Sequence, residues 1–101
     1  MSENRVYVKI HKQGSRRFIA CCDYDILGKE FNDGEVSIDV KENFYGGDLM
    51  EIEELPGMIY GIESINIVGN RAVDFMIEKG FLDEGSVMII GEVKHAQIYY
   101  I

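Results

Sequence analysis

The sequence predicts an α+β fold: a mainly antiparallel sheet with two or three short helices packed on one face, a two-layer sandwich. Three observations lead there. Apolar and polar residues alternate at both ends of the chain, the period of a half-buried strand. The middle carries apolar residues at helical spacing, cut by glycines and the single proline, Pro56. The length is 101 residues, so residues 1–101 are expected to form one domain with one core.

The elements follow in order. Val6, Val8 and Ile10 alternate with Tyr7, Lys9 and His11, which predicts a strand. Lys12-Gln13-Gly14-Ser15-Arg16 supplies a turn. Arg17 to Cys22 is expected to return as a second strand, with Phe18, Ala20 and Cys22 on one face. Asn32-Asp33-Gly34 reads as another turn. Glu35 to Val40 alternates again, predicting a third strand. Asp48 followed by Glu51 has the spacing of a capping pair. It predicts a short helix, ended before Pro56 because proline cannot continue it. Pro56 then suits the first position of a new helix, with Met58, Ile59, Ile62 and Ile65 on one face. Asn70 is the expected N-cap of the next helix. Ala72, Val73, Met76 and Ile77 form that helix's apolar stripe, and Gly80 its stop. Val87 to Ile90 and Ala96 to Ile101 predict the last two strands, with a bend around Gly91.

Composition narrows the class. Hydrophobic residues make up 47% of the chain and charged residues 28%, values of an ordinary folded domain. No apolar run approaches the ~20 residues of a bilayer-spanning helix. The start of the chain lacks a basic segment followed by an apolar one, so no signal peptide and a cytoplasmic location are expected. Cys21 and Cys22 are adjacent and would point to opposite faces of a strand, so both are expected to be reduced.

The net charge is −8, unevenly spread. Arg5, Lys9, Lys12, Arg16 and Arg17 oppose only Glu3 in the first 20 residues, a local charge of +4. The other 81 residues carry −12. An acidic body repels nucleic acid, whereas a basic tip attracts phosphates. Lys12, Arg16 and Arg17 are therefore candidate contacts to RNA or a ribonucleoprotein, and the acidic body a candidate surface for a protein partner. The competing reading is a solvated hairpin charged for solubility.

Other candidates are weighed the same way. His95 and Gln97 lie two apart on a predicted strand and share a face, so imidazole and amide can serve one ligand. A structural histidine bonded to a backbone carbonyl is the more common arrangement. Asn66, Gly69 and Arg71 frame a turn before a helix, where backbone N–H groups favour anions. Residues 67–81 also resemble the second half of a helix-hairpin-helix, a motif that grips phosphates. Only one of its two usual turn glycines is present, and a tight helix–helix connection is the simpler expectation. Phe44 and Tyr45, followed by Gly46-Gly47, have the makings of a stacking surface for bases or a partner's pocket. Equally, they can close the end of the sheet. No nucleophile neighbours His95 in sequence, and a catalytic triad needs one, so the balance leans against an enzyme. The cysteine and histidine spacings do not fit a zinc site. No metal or other cofactor is expected.

An ordered series of segments then resembles a known family. It runs through Val8-Lys9-Ile10-His11, Ala20-Cys21-Cys22-Asp23, Leu27-Gly28-Lys29-Glu30-Phe31 and Phe44-Tyr45-Gly46-Gly47, then Asn66-Ile67-Val68-Gly69 with Ala72-Val73, and His95-Ala96-Gln97. Together they resemble an archaeal uncharacterised family, domain of unknown function 424. The resemblance implies a compact α+β domain in archaeal cytoplasm and no assigned activity. Pro56-Gly57 replaces an expected continuous helix, and Lys94 precedes His95 where relatives often have proline. The expectation is a non-catalytic binding module for RNA, a ribonucleoprotein or a protein. The alternatives are a small-ligand protein or small enzyme built on His95, Gln97 and the Gly69 turn, and a scaffold that dimerises through a strand edge.

Overall fold

A computed structural model describes residues 4–100. Its frame is a six-stranded sheet, entered by the hairpin of β1 (Arg5–Gln13) and β2 (Arg16–Asp23). Gln13 pairs with Arg16, so the turn has two residues. Gly14 opens it at φ 65°, a conformation a Cβ disfavours. β3 (Glu30–Asn32) and β4 (Ser37–Asp39) follow as a separate two-stranded ribbon. Then come α1 (Glu42–Tyr45), β5 (Asp48–Glu51), a 3-10 segment over Ile52–Met58 and β6 (Ser64–Val68). The chain continues through α2 (Asn70–Glu78), a short 3-10 turn over Glu84–Ser86, β7 (Met88–Ile90) and β8 (Val93–Tyr99). The spatial order of the main sheet is β5-β1-β2-β6-β8-β7. Among the described residues only the β2–β6 pair is parallel.

The α+β class and the mostly antiparallel sheet are those expected. α2 and the first 3-10 segment cover one face, packing Leu55, Ala72, Val73 and Met76 on Val6, Val8, Ile19, Cys21, Ile65 and Ile67. The other face is partly covered too: α1 and the β3–β4 ribbon bring Tyr45 and Val40 onto Ala20, Cys22, Val68 and Val93. One helical turn therefore lies opposite the helical layer, where a single covered face was expected. Cys21 and Cys22 are buried free thiols on opposite faces, as strand alternation requires.

Four element assignments are corrected. Asp48–Glu51 is an edge strand pairing with β1, not a helix start. The true capping box sits three residues later, Glu51 with Glu54, and opens the 3-10 segment that contains Pro56. Residues 64–68 form a central strand, not the end of a helix. Ile65 and Ile67 face α2 while Ser64, Asn66 and Val68 face away, a period of two that the chance helical spacing of Ile59, Ile62 and Ile65 obscured. The strand expected over Glu35–Val40 is shorter and joins the ribbon instead of the main sheet. β8 begins earlier than expected, at Val93, after a two-residue turn at Gly91. Ile101, the expected end of that strand, lies outside the described residues.

Asn70 is not the N-cap of α2; Gly69 holds that position at φ 123°. The Asn70 side chain instead bridges the β7–β8 turn, donating to Glu92 O and accepting from Lys94 N. The cap comes from β2. The Asp23 carboxylate accepts the Arg71 N–H at 3.0 Å and the Ala72 N–H at 2.8 Å. A Cβ on residue 69 would collide with that carboxylate, so glycine is required twice over, by its φ and by its neighbour. At the far end, Phe81 N donates to Met76 O and Gly80 N to Ile77 O, the paired bonds of a Schellman stop. Because α2 is preceded by a strand, the residues around Gly69 are neither a helix–helix connection nor half of a helix-hairpin-helix. Among the described residues no helix is long and apolar enough to cross a membrane.

Candidate functional site: one end of the sheet

Register places the candidates. On the face opposite α2, β8 presents His95, Gln97 and Tyr99, beside Val68, Asn66 and Ser64 of β6. The next rows of β2 are Cys22, Ala20 and Phe18. Phe18 in turn lies opposite His11 of β1. Alternation along four strands thus puts His95, Gln97 and Asn66 on one patch.

Asn66 is the hub of that patch. Its Oδ1 accepts the Tyr45 hydroxyl proton at 2.6 Å and the His95 Nε2–H at 3.2 Å. His95 is thus bonded to a side-chain amide, not to the backbone carbonyl expected of a structural histidine. With Asn66 Oδ1 as the acceptor, the His95 proton sits on Nε2. Burial holds the His95 pKa below the ordinary histidine value. Burial likewise pushes the Tyr45 hydroxyl above the ordinary phenol range. With Oδ1 used twice, the Asn66 NH₂ has no hydrogen-bond partner among the described residues. Gln97 repeats the pattern: its Oε1 accepts from the Tyr99 hydroxyl at 2.9 Å, and its NH₂ has no partner among them.

Phe44 and Tyr45 join the same patch. The Phe44 ring stacks on His11 at 4.8 Å and meets Tyr45 edge-on at 4.9 Å. His11 also stacks on Phe18 at 4.8 Å and donates from Nε2 to Phe44 O at 2.8 Å. The result is a hollow of about 160 Å³ walled by Phe18, Phe44 and Tyr99, with Ser64, Asn66 and Gln97 as its polar lining. Tyr45 is buried and braces the wall from behind.

A second hollow, about 250 Å³, shares Phe18, Ser64 and Tyr99 with the first and adds Arg16, Arg17 and Tyr100. The basic hairpin therefore opens directly onto the aromatic patch. Arg16 has one loose partner, Glu63 at 3.7 Å, with both side chains largely exposed, a pair of little strength. Lys12 and Arg17 form no ion pair among the described residues. Lys9 donates to Asn43 O and so ties β1 to α1. Tyr60, 82% exposed, precedes Gly61, which lies against the Arg17 guanidinium. No spacing rule singled out Phe18, Ser64 or Tyr99, because the chain brings them together from three separate segments.

Gly69 and Arg71 lie elsewhere. The anion position at the start of α2 is filled by the protein's own Asp23. Arg71 pairs with Asp25 at 3.1 Å and lines a different hollow with Asp23, Asn70 and Glu92. Those carboxylates make that hollow unsuited to an anionic ligand. Among the described residues no group of His, Cys, Asp and Glu is arranged to hold a metal ion.

Comparison with known proteins adds a family and a fold. The family model described as "Protein of unknown function (DUF424)" matches residues 10–101. A solved structure, "Crystal structure of an uncharacterized conserved protein from Methanopyrus kandleri", is similar at 29% identity and a TM-score of 0.77, covering 94% of this chain and 90% of that one. No curated protein matches the chain.

Proposed function

The chain belongs to the DUF424 family, proteins of unknown function, and we propose that it is a non-catalytic module that binds single-stranded RNA at one end of its sheet. The observation that carries this is the junction of the two hollows at Phe18, Ser64 and Tyr99. Cationic Arg16 and Arg17 meet the exposed ring of Tyr99 and the half-buried ring of Phe18 there. Aromatic platforms beside a positive groove hold single strands by stacking and by counterion release. The acidic remainder of the surface keeps contact local. The archaeal origin of the similar structure and the paired free thiols support an archaeal cytoplasmic setting.

A labelled single-stranded RNA titrated at about 50 mM salt tests this. Arg16→Ala with Arg17→Ala should weaken binding about tenfold and flatten the salt dependence by about one unit of slope. No binding by the wild type, or equal binding by the double variant, defeats the proposal.

A dimerising scaffold is the second reading, favoured by edge strand β7. Met88 and Ile89 there are 53% and 62% exposed, and an open strand edge invites pairing. A dimer mass in native mass spectrometry supports it; a monomer removes it. The small-ligand or enzyme reading has less behind it, since Gly69 and Arg71 do not share the hollow lined by Asn66 and Gln97.

A further inference from the structure

The polar edge of the hollow between Phe18, Phe44 and Tyr99 is weighted toward donors. The carbonyl oxygen of Asn66 accepts from both Tyr45 and His95, and that of Gln97 accepts from Tyr99 with one lone pair left, beside the Ser64 hydroxyl. Each amide keeps its NH₂ group, a pair of N–H donors. The two residues are cross-strand neighbours, Asn66 opposite Gln97, so their donors flank one another. Around them stand three aromatic rings, and beside them the arginines of the hairpin.

We propose, building on the RNA-binding reading, that this hollow seats one unpaired keto base, uracil or guanine, by hydrogen bonds from Asn66 and Gln97 to its acceptor atoms, a carbonyl oxygen first among them. The volume, about 160 Å³, suits one base and not a stack of them. The ring faces of Phe18, Phe44 and Tyr99 supply sequence-tolerant stacking. The amide edge supplies the choice. Uracil offers carbonyl acceptors and guanine offers O6 and N7, whereas cytosine and adenine present amino donors at the same edge. An amino group would face the amide NH₂ groups donor to donor and forgo the hydrogen bonds a carbonyl makes there. The phosphates on either side of the base then lie within the field of Arg16 and Arg17.

With Asn66 Oδ1 as their shared acceptor, the Tyr45 hydroxyl and His95 Nε2 both donate to it; turning the amide requires the His95 proton to move to Nδ1 and the Tyr45 hydroxyl to accept instead. Tyr45 and His95 are thus positioning residues that set the polarity of the hollow.

Short oligouridine and oligocytidine strands, compared by fluorescence anisotropy on the full chain, test the proposal. The two bases differ at this edge by a carbonyl against an amino group. The expected result is about tenfold tighter binding of the uridine strand. Gln97→Glu replaces the donor with an acceptor-only carboxylate at an exposed position, where folding is undisturbed. It should weaken both strands by its charge and bring their affinity ratio to one or below. Phe44→Leu should weaken both about equally. Salt-dependent binding that needs Arg16 and Arg17 but shows no uridine preference overturns the base-selective hollow and leaves the RNA reading standing. So does a preference that Gln97→Glu does not change. Absence of binding to either strand at low salt overturns both.

Discussion

Removing the Asp23 carboxylate should unfasten α2 from the sheet. Asp23 is 3% exposed and accepts two backbone N–H bonds from the first turn of the helix. In Asp23→Ala those donors lose a charged acceptor, and the Ala72 N–H is buried with nothing in its place. Loss of a cap costs about 1 kcal/mol, and an orphaned buried donor about 1–3 kcal/mol more. The expected total is about 3 kcal/mol, or about 15 °C in Tm for a domain of this size. Urea melts followed by circular dichroism measure it. A loss under about 0.5 kcal/mol, the scatter of ordinary surface substitutions, would refute the assignment. pH gives an independent check. Burial raises the Asp23 pKa, the N–H bonds from Arg71 and Ala72 offset part of that rise, and Asp25 adds to it. With the folded pKa above the unfolded one, the folded state binds more protons between the two values. The Asp23 contribution to stability therefore falls as pH rises through that window. Asp23→Asn has no such titration, so the advantage of wild type over Asp23→Asn should shrink from pH 4 upward and then level off. An advantage that grows with pH would mean that the N–H bonds outweigh desolvation.

Three further outcomes follow from buried and half-buried groups. Burial, followed by the nearby Asp23 charge, pushes the Cys22 thiol up to about 12, and burial raises Cys21 as well; since the thiolate is the reactive form, neither should react with iodoacetamide in the native state, and both should react in denaturant. Tyr45→Phe should cost about 1 kcal/mol by deleting the bond to Asn66, read in urea melts. In the wild type, nitrogen NMR should find His95 titrating below the ordinary histidine value with its proton on Nε2. Because burial depresses that pKa, the stability neutral His95 contributes is present above the ordinary histidine value and is lost as pH falls from there through the lowered one.

The strands at the two ends of the chain were legible because alternation is a local signal. Val6 to Ile10 and Arg17 to Cys22 could be paired from the turn between them. The middle was less legible for two physical reasons. Ser64–Val68 lies between two other strands, and its isoleucines continue the helical spacing set by Ile59 and Ile62 across a turn. Asp48–Glu51 carries a capping pattern, yet pairing with β1 fixes it as a strand. Tertiary pairing overrode a local preference worth about 1 kcal/mol. Asn70 was misread for a related reason. A cap delivered from 48 positions away, by Asp23, leaves no mark in the sequence around the helix it serves.

The candidate site shows the same division between local and non-local information. Period two placed His95 and Gln97 together, because the spacing of two on one strand is enough. Nothing local could add Phe18, Ser64 or Phe44, which reach the hollow from β2, β6 and α1. Charge counting found the basic tip but not its neighbour, because the aromatic rings lie in other segments. The parallel β2–β6 pair is the step that unites them. It sets Phe18 beside Ser64, and β6 in turn sets Ser64 beside Tyr99. Had β2 and β6 not been neighbours, Arg16 and Arg17 would stand at a hairpin tip far from any amide edge. A phosphate clamp alone binds every sequence alike, and a base hollow alone lacks attraction at a distance on so acidic a protein. Their adjacency across one strand pair is what makes a selective RNA contact a physical reading of this surface.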